Sequence, residues 1–599
     1  MPSRIPGLLA PGDYNGCRLQ FCQECLGRAP HPPRKKTGLR AWQLKTLACN
    51  ARLTRLDSST PIRSRAAEEP DFQISLWIVP LILAVLSVCL FGGLGVLGLV
   101  GPDEPRYAAI AQAMARTHDW VTPRLWGAPW FEKPVLYYWA AGISMRIFGV
   151  SEFSARLPSA LAALLAVLAI AWTAVRSYGV STARYALLLL PTSVALIAFS
   201  RAASPDMLFA GLLTAAMAIA GEMLQRPRPG TALRIAFGFF LGAAVLAKGP
   251  AAVILAGGAA LLWAAASRQW RAPFRFLHPL VIAVFCATAL PWYVLCALRN
   301  PDFLRVFIWQ HNFERYLTPI FEHLQPFWFY VPVLCLATLP WIAILACTLR
   351  KKWDKQRWPD SPGLFLLCWA IFPFLFFSFS QSKLPGYILP SVPPLFLLMS
   401  RAVDRMLASD PKASAILTGI SGGIFCALPF FATKLLGAAQ LFNVSVTRAI
   451  SLLILAGVGG LIAVGLSLRK RPRAALTTVV LLVVALLVFL NTAVLPAADS
   501  RISARAAAQD ALRLLPPARD IAVLKLKRDW NYGLDYYFDR DLPEWTPGQP
   551  LPEWLFTNQR NAIELEHSGN RFREVSRVGA PFAVLLHVSP EAPESEGAR

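Results

Sequence analysis

Asp103 and Glu104 are adjacent carboxylates in GPDEPRYAAIAQAM (101–114), where a long apolar run, 73–100, gives way to polar sequence. Glu132 and Lys133 follow in PWFEKPVLYYW (129–139), among Trp130, Phe131, Tyr137, Tyr138 and Trp139. An acid and a base at membrane depth must pair with each other or bind something, because hydrocarbon cannot solvate them. Further charges stand at the ends of apolar segments: Asp206 in SRAASPDMLF, Lys248 in LAKGP and Lys383 in SQSKLPGYILP. The stretch NPDFLRVFIWQHNFERYLTPIFEHLQPFWFY (300–330) adds His311, Glu314, Arg315, His323 and Gln325.

Asp103, at the membrane exit, is the acid favoured for function, and Lys133 can hold a phosphate as a point charge. Glu104 reads differently. Tyr107, Ile110, Ala111 and Met114 recur at i, i+3, i+4 and i+7, with Arg106, Gln112 and Arg116 on other faces. This predicts a short amphipathic helix lying along the membrane. Pro105 suits its first position, which makes Glu104 a cap favoured by the helix dipole. Each lysine alone also reads as a snorkelling end residue; their recurrence on one face of the membrane is what points to a site. His311 and His323, with Glu132, offer a His/His/carboxylate set for zinc or another divalent metal, against the alternative of packed or solvated histidines.

The elements that must position these residues are apolar. The chain is 55% hydrophobic and 16% charged, with a mean hydropathy of +0.46. That composition describes a polytopic membrane protein. Thirteen apolar segments recur, near 73–100, 156–176, 182–200, 205–224, 232–247, 249–266, 277–298, 327–349, 362–380, 384–403, 412–435, 447–468 and 474–497. With the N-terminus inside, the inner loops hold Arg176 and Arg184, QRPRPGTALR, SRQWRAPFR, RKKWDKQRW, RAVDRMLASDPK and RKRPR, all basic. The positive-inside rule explains them, and with them much of the net charge of +24, so the charge gives no reason to expect nucleic acid. The outer face then carries the two long loops, 101–155 and 299–326, and every candidate residue above.

Residues 1–72 are rich in Arg and Pro without sustained periodicity and read as a disordered cytoplasmic tail or as sequence upstream of the true start. CRLQFCQEC within them lacks the second Cys pair of a usual zinc knuckle. The other cysteines in apolar runs read as small packed hydrophobes. From about 499 to 599 the regime changes. SARAAAQDALRLL reads as an amphipathic helix, and DIAVLKLK, PEWLFTN and PFAVLLHVSP read as strands, which gives a small outer α/β domain.

In order along the chain, PDEPRYAAIAQAM, HDWVTPRLWG, FEKPVLYYW, LAKGP, HNFERY, PFWFYVPVL and SKLPGYILP resemble the signatures of bacterial lipid-linked-sugar glycosyltransferases of the GT-C superfamily. The lipid A aminoarabinose transferases and the related protein O-mannosyltransferases are its relevant branches, and the resemblance runs over about 73–400. It implies an all-α polytopic membrane fold of about thirteen transmembrane helices, interfacial helices in the first outer loop and a small C-terminal extracytoplasmic α/β domain. It implies a donor of polyprenyl (undecaprenyl) phosphate carrying one sugar, a glycolipid or protein acceptor and inversion at the anomeric carbon. No nucleotide cofactor is expected, since the activated sugar arrives from the bilayer. By motif position, Asp103 corresponds to the acidic residue taken as catalytic, which makes it the candidate general base, and Lys133 to a donor-phosphate contact, with Arg315, Lys248 and Lys383 as further phosphate-binding cations. Glu104, Tyr107, Asp206 and Tyr387 are expected around the substrate cavity, and Glu132, His311 and His323 at the zinc position. The expected location is the bacterial inner membrane, with the site and the C-terminus in the periplasm. The rival reading, a transporter or flippase of polyprenyl-linked glycans, calls for mid-helix charges and an internal repeat, and the sequence shows neither convincingly.

Overall fold

A computed structural model describes residues 78–318, 324–350, 361–515, 520–546, 548–569 and 572–588. By its contacts the chain divides into Met1–Leu76, outside the described residues, and Trp77–Arg599, to which everything below refers. The tail predicted over 1–72 and its cysteine cluster therefore lie outside the described residues.

Each of the thirteen apolar segments contains at least one helix among the described residues. Among the described residues, eight helices are long and apolar enough to cross a membrane. A ninth span, Val180–Leu189 plus Val194–Ser200, is bent by 62° at its break. Four more segments contain shorter apolar helices, at Ile78–Phe91, Ala251–Ser267, Phe327–Ala337 and Pro362–Ser378. Local signals set the ends. Ser151 and Ser154 form a reciprocal capping box at the start of Glu152–Tyr178. Pro205 opens Pro205–Gln225, where its missing N–H costs nothing. Gly249, at φ +95°, ends Thr231–Lys248 in a conformation that favours glycine.

The first outer loop folds into helix Asp103–Thr117, a two-residue hairpin (Arg124–Leu125 with Ala128–Pro129) and helix Leu136–Phe148. The expected helix is present, but its setting differs. Tyr107, Ile110, Ala111 and Met114 are buried as the spacing suggests, and so are Glu104 and Arg106. The helix is covered on a second side by the C-terminal domain, so Arg106 turns inward to meet acids instead of facing solvent. Indole N–H groups tie the loop together: Trp139 Nε1 donates to the Trp120 carbonyl at 2.7 Å, and Trp292 Nε1 to that of Val121 at 2.9 Å.

The last apolar helix continues through Leu495–Ile502 into a four-stranded sheet domain. Its strands are β1 (Ile521–Leu524), β2 (Trp554–Thr557), β3 (Phe572–Ser576) and β4 (Val584–Val588), in spatial order β1-β2-β4-β3, with β1 and β2 parallel and the other pairs antiparallel. The predicted helix is present as Arg505–Leu514, and β1, β2 and β4 fall in the predicted strands. Helices Arg528–Phe538 and Gln559–Gly569 and strand β3 were not foreseen. Arg528–Phe538 docks on the first outer loop. Tyr537 donates its hydroxyl to Glu152 at 2.8 Å and accepts from the Leu99 N–H at 3.0 Å, and Asp539 pairs with Arg116.

Candidate active site

Four segments far apart in sequence meet at one cavity of about 490 Å³ on the face that carries the two long loops. Glu132 and Lys133 come from the first loop, Lys248 from a helix end, His311 and Arg315 from the second loop, and Tyr387 from the start of Pro385–Ser409. The remaining wall is greasy, with Ile254, Ile308, Phe313, Leu317, Phe376 and Phe377.

Each position has a local cause. The second loop winds as a π-helix over Arg305–Glu314, a form that recurs at functional sites. It is anchored by Tyr316, whose hydroxyl donates to the Phe376 carbonyl at 2.9 Å. Gly249 lets the chain pass close beneath this loop, since a Cβ there would stand 2.9 Å from the Phe307 ring. Lys248 pairs with Asp206 at 2.5 Å and lies over the Tyr387 ring at 4.4 Å. Gly386 makes that possible, because a Cβ would come within 2.6 Å of the Asp206 carboxylate. The Lys-Leu-Pro-Gly-Tyr stretch thus supplies a ring and the gap beside it.

Glu132 is the hub of the charges. Its carboxylate meets Lys133 at 3.2 Å, Arg106 at 3.3 Å and Arg315 at 3.4 Å. Burial alone would raise its pKa, but Lys133, Arg106 and Arg315 outweigh burial and hold it well below the usual carboxylate range. Lys133 is lowered from the ordinary lysine value, first by burial and then by Arg315 and Lys248, against the pull of Glu132. His311 is lowered to about 4, chiefly by burial and also by Lys133, Arg315 and Arg106, against Glu132, so its imidazole is neutral. The cluster sets four cations, Arg106, Lys133, Lys248 and Arg315, against three acids, Asp103, Glu132 and Asp206. One uncompensated positive charge remains in a low-dielectric setting, which favours an anion.

Asp103 does not line the cavity. It sits at the helix start with its side chain 52% exposed and pairs with Arg106, which bridges to Glu132. An unbroken chain of charge, Asp103–Arg106–Glu132–Lys133, therefore links an exposed acid to the cavity. Tyr107 lies beside this chain, buried against Tyr137 and Tyr138.

Five expectations need correction or fall outside. Of the four residues expected around the cavity only Tyr387 lines it; Asp206 stands behind the wall, held by Lys248, and Tyr107 is buried in the tyrosine cluster. Glu104 is not a cavity residue. It is 7% exposed and accepts from Arg156 (2.6 and 3.2 Å) and from the Val100 and Ala203 N–H groups (2.8 and 2.7 Å), because the buried Arg156 must be neutralised. Lys383 is not on the cavity wall. Its ammonium is buried and donates to the Ser380 and Gln325 carbonyls at 2.6 and 3.0 Å. His323 lies outside the described residues. Among the described residues no group of three His, Cys, Asp or Glu side chains is placed to hold a metal. Glu132 and His311 are in ligand-ready protonation states and share the cavity, so they fit as two members of a donor set.

Sequence reasoning missed Arg106 and Arg156, the one placed on a helix face other than the apolar one and the other at the start of an apolar segment. It also passed over Tyr138, whose hydroxyl is buried with no hydrogen-bond partner among the described residues. The spacing of three residues on a helix shows that Arg106 can pair with Asp103, but not that it is buried.

Known proteins resemble this chain in sequence and in fold. A family profile described as dolichyl-phosphate-mannose-protein mannosyltransferase matches residues 132–292. The crystal structure of ArnT from Cupriavidus metallidurans bound to undecaprenyl phosphate superposes with a TM-score of 0.66 at 25% identity, over 85% of this chain and 97% of that one. The fold is that of the GT-C class of membrane proteins to which that structure belongs. The undecaprenyl phosphate-alpha-4-amino-4-deoxy-L-arabinose arabinosyl transferase of Serratia proteamaculans (strain 568) is 32% identical over 380 residues, 62% of this chain and 68% of that protein. Its counterpart in Edwardsiella ictaluri (strain 93-146) is 35% identical over 330 residues, 54% of this chain and 59% of its own length. The chain belongs to this family of arabinosyl transferases, and it spans about three-fifths of the length of several curated relatives it matches.

Proposed function

We propose that the protein transfers one aminopentose from undecaprenyl phosphate to an envelope glycolipid. It would work in the bacterial inner membrane, with the N-terminus in the cytoplasm and the cavity and C-terminal domain in the periplasm. The observation that carries the reading is the pairing of three cations, Lys133, Lys248 and Arg315, with a wall of aliphatic and aromatic side chains in one cavity. A polyprenyl phosphate has that shape: an anionic head on an apolar chain. The printed names of the relatives support the pentose, and the basic inner loops support the orientation.

In the reaction the cations hold the phosphate and stabilise the charge that grows on it as the bond from sugar C1 to the phosphate oxygen breaks. The acceptor oxygen forms the new bond to C1 from the opposite face, inverting that carbon. Its proton passes to Asp103, whose exposure gives the acceptor access and whose carboxylate is oriented by Arg106. A divalent metal held in part by Glu132 and His311 is the cofactor proposal; when bound it would supply Lewis-acid charge beside the phosphate. Metal analysis of purified wild type against His311→Ala tests that part, and equal metal content in the two would refute it.

The test of the main reading is transfer in proteoliposomes from a radiolabelled undecaprenyl-phosphate aminopentose to extracted envelope glycolipids. Label in the glycolipid fraction is expected. Label appearing only as free sugar or across the membrane without covalent transfer would overturn it.

A further inference from the structure

The C-terminal domain has no role in the chemistry derived so far, yet one of its side chains reaches the chain of charge. The Tyr532 ring lies 5.2 Å from the Arg106 guanidinium, the group that pairs with Asp103 and bridges to Glu132. On the same ring lies a second guanidinium, that of Arg528, at 5.7 Å. One half-buried tyrosine is therefore shared by the arginine that orients the candidate base and by an exposed arginine of the domain.

Arg528 is part of a longer basic surface. Lys527 precedes it, with its ammonium 5.7 Å from the Phe582 ring. Phe582, Lys525, Lys527 and Arg560 line a hollow of about 650 Å³ on the domain, in which Glu564 is the one acid. Lys525, Lys527, Arg528 and Arg560 are all exposed, and of these only Arg560 is engaged by that acid, at 3.1 Å. A basic track thus runs from the hollow through Arg528 and Tyr532 to Arg106 and Asp103.

Resting on the transferase reading above, we propose that the C-terminal domain recognises the acceptor. The hollow and Arg528 take phosphate on a glycolipid headgroup, and Tyr532 packs against the sugar between Arg528 and Arg106. Together they bring a headgroup oxygen to Asp103. The ligand chemistry follows from the surface: several exposed ammonium and guanidinium groups call for more than one negative charge on a compact head, and a ring flanked by cations offers a face to a sugar. Arg528, Lys527 and Tyr532 are specificity-determining residues here and touch neither the donor phosphate nor its cavity.

The experiment uses the full chain in nanodiscs and two water-soluble acceptor mimics, a diphosphorylated glucosamine disaccharide and the same sugar without phosphate. Binding is measured by titration at low salt, with undecaprenyl phosphate affinity measured in parallel. Wild type should bind the phosphorylated sugar and discriminate against the bare one. Lys527→Ala with Arg528→Ala should weaken that binding by about a hundredfold, roughly tenfold for each lost charge-assisted contact, and reduce its dependence on salt. Tyr532→Ala should weaken it as well, while Tyr532→Phe, which keeps the ring, should restore it. Undecaprenyl phosphate affinity should stay unchanged in all of them. Equal binding of both sugars by wild type, or the same acceptor affinity in wild type and the double variant, would overturn the proposal. Failure of undecaprenyl phosphate to bind wild type would instead overturn the transferase reading on which it rests.

Discussion

Removing one of two neighbouring carboxylates should unfold the protein, and removing the other should silence it. Glu104 and Arg156 are 7% and 3% exposed and form a pair in which every oxygen of the acid is used. Arg156 also donates to the carbonyls of Leu94, Leu97 and Gly98 at 2.7–2.8 Å, so the pair closes the chain between the first span and the first outer helix. Glu104→Ala leaves a buried guanidinium without its counter-charge, which costs about 3–5 kcal/mol. It also orphans the Val100 and Ala203 N–H groups, at roughly 1 kcal/mol or more each. The single change therefore approaches the whole stability of an ordinary domain. Asp103 is half exposed and makes one ion pair, worth at most about 1 kcal/mol, so Asp103→Asn should melt close to wild type. Its transfer rate should fall by about 10²–10⁴, the usual worth of a positioned base. The assay is thermal unfolding in detergent followed by tryptophan fluorescence, with transfer measured on the same preparations. Wild-type melting of Glu104→Ala, or equal destabilisation by the two variants, would refute the division of labour.

Four further outcomes are expected. Lys133→Ala and Arg315→Ala should each weaken undecaprenyl phosphate binding about tenfold or more by loss of a charge-assisted contact, measured by fluorescence quenching in nanodiscs. Gly386→Val should cut transfer by displacing the Asp206 carboxylate, 2.6 Å from where a Cβ would stand, while expression level and oligomer profile report whether the fold survives. Asp535 is fully buried in the C-terminal domain with Oδ2 unpartnered among the described residues, and burial raises its pKa from 3.8 to about 7. Its contribution to stability is then fully present below pH 4 and lost as pH rises through about 7, so Asp535→Asn should raise the melting temperature at pH 8 by several degrees and flatten its pH dependence. Prolonged chelation should slow transfer, with zinc restoring it, and an unaltered rate after chelation would count against the metal.

Much of the membrane architecture is readable without coordinates because hydrocarbon imposes a simple rule: a span must be apolar and about 20 residues long. Hydropathy therefore finds a helix in each of the thirteen segments, and the basic loops RKRPR and SRQWRAPFR supply their expected direction. What hydropathy cannot see is a break inside an apolar run, and it reads Val180–Ser200 as straight where the structure bends by 62°. In the site, the convergence of Lys133, Lys248 and Arg315 was legible because cations recurred at segment ends and in loops on one face, where a single one would read as a snorkelling end residue. Glu104 and Lys383 were misread because whether the protein itself satisfies a charged group depends on how the chain folds around it, which brings Arg156 to the one and the Ser380 and Gln325 carbonyls to the other. Arg106 was missed for a related reason. Its burial depends on helix Arg528–Phe538, some four hundred residues away, and local periodicity carries no trace of that docking.

The central claim is that the cavity ringed by Lys133, Lys248 and Arg315 holds the phosphate of a lipid-linked donor. The most direct test is a cryo-electron microscopy structure of the full chain in nanodiscs with undecaprenyl phosphate. Density for the phosphate within hydrogen-bonding distance of these three side chains, with the polyprenyl chain against Phe313, Phe376 and Phe377, is the expected result. Phosphate density at another site, with this cavity filled by the protein's own side chains, would contradict the claim.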